Sequence, residues 1–322
     1  MPKSLDLCPP YDVLCAGMAV ADVPLRPVGP EVFDSDTTRL DGISLSPGGD
    51  AMNQAIALAG LGVRVALAAQ VGSDPFGGIL LKQAADRNVD ITHVRINPDT
   101  QTSVSIVLIR EDGRRSFVYC SGNNEHFTLE DVPADLWSRA KVVSLGSLLG
   151  MAGFTGEKAA EAFRRARAAG AVTVADTAFD INGQGLDGVR PVLPHTDYFV
   201  PSLEEAEALL GPGEPETLAR KFLTMGAGHV MLKLGERGCL VMDAEHTLTL
   251  PAFRVPVIDT TGCGDHFTAG VILGILRGES PEGCARLGNA MGAMNAAQRG
   301  ASARQHSLDA LMLFMESRVT EG

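Results

Sequence analysis

Apolar and β-branched residues along this chain fall into short runs, separated by longer stretches with helical spacing. Val13–Ala16, Val63–Ala68, Val142–Leu145, Val172–Ala175, Tyr198–Val200 and Val230–Leu234 read as buried strands. Between or after them, Ala51–Ala59, Ile79–Arg87, Glu157–Ala169, Leu203–Leu210 and Leu218–Met225 read as helices. This alternation predicts an α/β fold: a doubly wound, mostly parallel sheet with helices on both faces. Ligands of such a sheet sit beyond the carboxyl ends of its strands. After Asp265 the pattern is helical to the end.

Two segments depart from the alternation. Residues 22–47 hold little helical periodicity, and residues 100–122 alternate as a hairpin with Glu111-Asp112-Gly113 at its turn. Both are expected to build a small β-sheet lid inserted into a single domain spanning 1–322.

Composition narrows the function. Forty-five per cent of the 322 residues are apolar, enough for a sizeable core. A formal charge of −12 repels nucleic acid and anionic membranes, so neither is an expected partner. Six scattered cysteines contain no C-x-x-C pair and suit a reducing cytoplasm. No leader or membrane span is legible.

The most informative stretch is Asp259-Thr-Thr-Gly-Cys-Gly-Asp265, followed by the apolar helix that begins at His266. A glycine turn opening a helix aims the amides of Gly262, Cys263 and Gly264 at one point, at the positive end of the helix dipole. That is an anion hole made without lysine. A carboxylate one residue on can accept the proton of an attacking hydroxyl while the amides hold the charge on a transferring phosphoryl group. An ordinary Asp with a pKa near ~4 serves, because a loose transition state needs little basicity. A lone G-x-G-D is more often only a helix cap.

The whole run resembles the D-T-x-G-A-G-D signature of the ribokinase-like (phosphofructokinase-B-type) carbohydrate kinases, with Cys263 for alanine. The resemblance extends from about Val13 to about Ser302. It implies an ATP-dependent kinase acting on a hydroxyl of a sugar or sugar-like polyol, with Asp265 as the base. Gly48-Gly-Asp-Ala-Met-Asn53 resembles the family's first signature, and Asp22 stands at the end of the matching first strand. By that likeness Asp22, Gly48, Gly49 and Asn53 bind the acceptor. Ribokinase carries Asn where this chain has Val20, and Lys where it has Asp50, which puts ribose in doubt.

The likeness further implies ATP contacts at Ser202, Lys233, Gly235, Gly238 and Asn289. It implies Mg²⁺ acting through water on Glu205, although Ser202-x-x-Glu205 also reads as a helix capping box. Lys233 faces a phosphate or is a solvated strand end. Asp259 is implied to help hold a monovalent cation such as K⁺, and Arg304 is the expected replacement for that ion. Cys263, at a helix start, is either a reactive low-pKa thiol or an inert small residue. Homodimers through the lid are implied as well. Nucleoside kinase and non-catalytic sugar- or nucleotide-binding regulator stay open as alternatives. A dinucleotide oxidoreductase is disfavoured, because no G-x-G-x-x-G follows the first strand.

Overall fold

The computed structural model describes residues 10–40, 42–111, 115–298, 300 and 305–317. Its strands are β1 (Tyr11–Ala16), β2 (Val20–Leu25), β3 (Ser46–Gly48), β4 (Val65–Gly72), β5 (Val94–Asn97), β6 (Val104–Ile109), β7 (Arg115–Cys120), β8 (Ala140–Leu145), β9 (Val172–Ala175), β10 (Tyr198–Phe199), β11 (His229–Lys233), β12 (Cys239–Met242) and β13 (Thr247–Leu250). Its helices are α1 (Asp50–Gly60), α2 (Pro75–Ala85), α3 (Glu157–Ala168), α4 (Gly185–Val189), α5 (Leu203–Leu210), α6 (Pro215–Thr224), α7 (Cys263–Arg277), α8 (Pro281–Ala296) and α9 (Leu308–Glu316).

Nine strands form one sheet in the order β13-β12-β11-β10-β9-β8-β1-β4-β5. It is parallel from β11 to β5, and β12 and β13 close one edge antiparallel. Successive side chains of a strand point to opposite faces. In β1, Leu14 and Ala16 enter one core with Phe163 and Phe199. Val13 and Cys15 enter the other with Ile56 and Ile272. A strand buried on both faces needs the unbroken apolar run that the sequence shows. The predicted doubly wound α/β fold is therefore the observed one.

β3-β2-β6-β7 form a second sheet, in which β2 and β6 pair parallel and the other pairs are antiparallel. Both segments that break the α/β alternation contribute to it. The expected hairpin is present, with Ile109 opposite Arg115, and its turn at 112–114 lies outside the described residues.

Three local readings need correction. β4 starts at Val65 rather than Val63, because Gly62 (φ +82°) makes the turn that ends α1. The helix read at Ile79–Arg87 starts earlier, at Pro75, and ends at Ala85. Asp74 accepts from the Gly77 amide at 2.9 Å and Pro75 fills the first turn, where its missing N–H costs nothing. The β12–β13 hairpin was not anticipated, because its second strand is exposed and carries little apolar signal.

The end of the chain packs on itself closely. A Cβ on Gly270 of α7 would lie 2.5 Å from the Leu287 carbonyl of α8, and one on Gly274 would lie 2.7 Å from the Cys284 Cα. Glycine here lets α7 press against α8, which fixes the position of the α7 N-terminus. Among the described residues no helix is long and apolar enough to cross a membrane.

Candidate active site

The Asp259–Gly262 turn is built by its own side chains. Asp259 Oδ1 accepts from the Thr261 amide at 2.9 Å and from its hydroxyl at 2.7 Å. Gly262 adopts the left-handed conformation (φ +74°, ψ 4°) that caps α7, a geometry open to glycine at little cost. The Cys263 amide donates to the Thr260 carbonyl at 3.3 Å, so the expected anion hole rests on the Gly262 and Gly264 amides at this end of the helix.

Asp265 occupies the third position of α7, half-buried in the wall of a cavity. Burial, then the neighbouring Asp176 carboxylate, push its pKa up to about 7. The Asn53 amide, which donates to Asp265 Oδ2 at 2.7 Å, and the Lys233 charge act the other way. This corrects the expectation of an ordinary carboxylate: the group sits near neutrality, where a general base is most effective. Two residues from distant signatures, Asn53 and Asp265, are thus in direct contact.

Lys233 is neither a solvated strand end nor a free phosphate ligand. Its Nζ donates to Asp176 Oδ1 at 2.8 Å, inside the protein. The same Nζ lies 3.3 Å from where a Cβ on Gly264 would be, so the ammonium also lies against the start of α7. Burial lowers the Lys233 pKa, but Asp176 and Glu205 outweigh it, and the net direction is upward. Asp176 Oδ2 accepts from Thr268 at 2.7 Å, which ties β9 to α7.

The capping box is real. Glu205 Oε2 accepts from the Ser202 amide at 2.7 Å, and Ser202 Oγ accepts from the Glu205 amide at 3.2 Å. Glu205 Oε2 also accepts from Thr177 at 2.7 Å. Among the described residues no cluster of three His, Cys, Asp or Glu is arranged to hold a metal directly.

Near Asp265 lie Asp22, in the small sheet, and Gly48, Gly49 and Asp50, at the start of α1. Asp22 pairs with Ser46 in the small sheet, and its carboxylate covers Gly48, where a Cβ would fall 2.3 Å from Asp22 Cγ. Gly49 (φ +85°) caps α1. Burial, then the charges of Asp50 and Asp259, push Asp22 up to about 7. Burial, then Asp265 and Asp176, push Asp50 well above the usual carboxylate range.

A cavity of about 1270 Å³ opens beside this group, lined by Cys263, Gly264, Asp265, Lys233, Ser202, Glu205 and Gly235 at its polar end, and by Phe253, Val255 and Ala293 further out. Gly238 and Asn289 also line it, but both have structural work. A Cβ on Gly238 would lie 2.0 Å from the Leu250 carbonyl, and Asn289 Nδ2 donates to the Pro251 carbonyl at 3.1 Å.

Of the two readings of Cys263, the inert one fits the structure. The Cys263 thiol is not acidified by its helix end. Burial dominates and pushes its pKa up to about 11. Arg304, expected near Asp259, lies outside the described residues. The Asp259 carboxylate faces Arg115 of β7, whose guanidinium lies 3.3 Å from Asp259 Oδ1 and donates to the hydroxyls of Thr260 and Thr261. Asp259 Oδ2 accepts from the Gly300 amide at 2.9 Å. Burial raises Asp259, but these donors outweigh it and hold it below the usual range.

Asp176, Ser147 and Arg115 were missed as site residues. Asp176 had a usable signal: it is the first charged residue after a buried strand, at the sheet edge where ligands bind.

A base beside an amide anion hole, at the mouth of a cavity this size, defines a phosphotransferase with an alcohol acceptor. Residues 11–307 match the pfkB family carbohydrate kinases, and the chain belongs to that family. It is 30% identical to a 2-dehydro-3-deoxygluconokinase of Bacillus subtilis, covering 83% of this chain and 86% of the relative. Its fold is similar to that of a ribokinase from Thermotoga maritima (TM-score 0.84, 21% identity, 95% and 99% coverage). It is also similar to a putative ribokinase II from E. coli in complex with ATP and Mg²⁺ (TM-score 0.82, 21% identity, 96% and 100% coverage). The dinucleotide oxidoreductase reading is set aside by the family.

Proposed function

We propose that this carbohydrate kinase transfers the γ-phosphoryl group of ATP to a hydroxyl of a sugar or sugar-like polyol, with Asp265 as base. The observation that carries the reading is the junction at Asp265. The anion hole and the large cavity adjoin it, Asp50 lines the same cavity, and Asn53 of α1 and Asp22 of the small sheet reach it as well.

The nucleotide fits the residues present. The α7 amides and Lys233 form a positive end for phosphates, and the cavity continues past Gly235 to the apolar Phe253 and Val255. Mg²⁺ keeps several waters and needs few protein ligands, so Glu205 suits it through water while still capping α5. When bound, the ion neutralises charge on the phosphate oxygens. Asp265 takes the proton of the acceptor hydroxyl, whose oxygen bonds to the γ-phosphorus. The bond to the β,γ-bridging oxygen breaks, ADP leaves with that electron pair, and the amides hold the charge on the phosphoryl oxygens. Asn53 orients Asp265.

The small sheet acts as a lid over the acceptor in this reading, latched by Arg115 to the Asp259 turn. Removing Arg115 loosens the latch without opening the core, so Arg115→Ala is expected to keep the fold. Its ADP release without acceptor should rise several-fold relative to transfer, because water gains entry. An unchanged ratio of hydrolysis to transfer would remove the latch. Phe117 and Val118 lie exposed on β7, which supports a homodimer through this sheet.

The function is tested by ADP release from Mg²⁺-ATP across neutral sugars, sugar acids, sugar phosphates and nucleosides. Turnover on one class establishes the acceptor. A nucleoside among the best substrates would select the nucleoside kinase alternative. ATP binding without turnover would favour the non-catalytic regulator.

A further inference from the structure

The acceptor side of Asp265 has an unusual charge balance. Asp22 and Asp50 both face it, and no hydrogen bond to either carboxylate of normal geometry is made among the described residues. Both retain partial access to solvent even though protein surrounds them. Asp50 lines the same cavity wall as Asp265 and Asp176. Beside it, the Ser147 hydroxyl is fully buried, faces the Asp50 carboxyl and completes no hydrogen bond. Ser147 is held there in the left-handed region (φ +63°), a costly conformation for a residue with a side chain. A buried hydroxyl without a partner costs free energy unless a ligand satisfies it.

Two cations beside the site are already committed. Lys233 is bound to Asp176, and Arg115 faces Asp259. The charges that act most strongly on Asp22 and Asp50 are all carboxylates.

We propose that this pocket selects its acceptor by charge: Asp22, Asp50 and Ser147 take a polyol that is uncharged or carries a protonated nitrogen, and reject one bearing a phosphate or carboxylate. The proposal rests on the kinase reading above and specifies its substrate class. An anionic substituent either meets ionised carboxylates or must hold these carboxyls protonated, and neither Lys233 nor Arg115 is uncommitted to offset that cost. Like charges about 4 Å apart repel strongly even at a moderate effective dielectric. A neutral diol instead supplies hydroxyl donors to Asp22 and Asp50 and a partner for Ser147. An ammonium does more, since it favours the ionised state of carboxyls that burial now disfavours.

The test uses four acceptors on related skeletons: fructose, 1-amino-1-deoxyfructose, fructose 6-phosphate and gluconate. Their kcat/KM with Mg²⁺-ATP and their binding by calorimetry in the presence of ADP are measured on the full chain. The neutral and amino sugars are expected to exceed the two anions at least 100-fold in affinity. In Asp50→Asn the ratio of anionic to neutral binding should rise at least 10-fold, and in Asp50→Lys further. The isosteric Asn variant keeps the test valid if the Lys variant does not fold. An anion bound as tightly as fructose overturns the proposal, as does a ratio unmoved in Asp50→Asn or a failure to bind any of the four. Absence of turnover with the expected binding order would overturn the kinase reading alone.

Discussion

Replacing Asp265 by Asn is expected to lower kcat by about 10²–10⁴-fold, the usual contribution of a positioned general base, while ATP still binds. The substitution keeps the size of the side chain and its contact with Asn53, so the α7 N-terminus keeps its place. The same change should affect stability in the opposite direction. The Asp265 pKa is raised to about 7 from an unfolded value of 3.8, so the native state binds the proton more tightly than the unfolded chain. Stability from this group is therefore present at low pH and is lost as pH rises from about 4 to about 7. The amide that replaces the carboxyl never ionises. The variant should match the parent near pH 4 and exceed it above pH 7, by an amount on the order of a few kcal/mol. Activity follows the ionised form, so the parent kcat should rise with pH to a plateau above about 7. Near-normal turnover in the variant, or a kcat profile flat from pH 5 to pH 8, would take Asp265 out of the mechanism.

The parts of the site that were legible in the sequence are those made by contiguous chain. The Asp259–Asp265 run specifies a turn, a cap and a helix start within seven residues, so its geometry follows from local rules. The same holds for Gly48 to Asn53 and for the Ser202–Glu205 capping box. Contacts made across the fold left no local trace. Arg115 reads as one of several charges near a hairpin turn, and only the pairing of β6 with β7 aims it at Asp259. Ser147 reads as a small residue in an apolar stretch, and only the packing of α1 brings the Asp50 carboxyl beside its buried hydroxyl.

Two chemical expectations failed for one physical reason. A low-pKa thiol was one of the two readings of Cys263, and Asp265 was expected to titrate as an ordinary carboxylate. Both groups are half-buried with protein packed around them, and desolvation of the charged form outweighs the dipole. Burial depends on how α7 seats against α1 and α8, which the residues of the motif do not reveal by themselves.

Lys233→Met is expected to have the largest effect on stability. It removes the buried cation that binds Asp176 at 2.8 Å and leaves that carboxylate with the Thr268 hydroxyl and the Thr177 amide. Breaking one side of a buried pair costs about 3–5 kcal/mol, because the remaining charge stays desolvated. The variant should also move the rise in kcat to higher pH. Lys233 lowers the Asp265 pKa, so its removal leaves burial and Asp176 to raise it further. Adding Asp176→Asn separates these effects. The double variant should recover most of the lost stability, since no unpaired charge remains, and the non-additivity reads the coupling of the pair. Its Asp265 loses a raising charge as well as a lowering one, so its pH profile should return toward that of the parent. It still lacks the ammonium against Gly264, so ATP affinity should stay reduced. Recovery of stability without recovery of ATP binding assigns Lys233 both roles. If the single variant unfolds no more easily than the parent, in urea and at pH 7, the buried pair is not what holds β9 and β11 at the site.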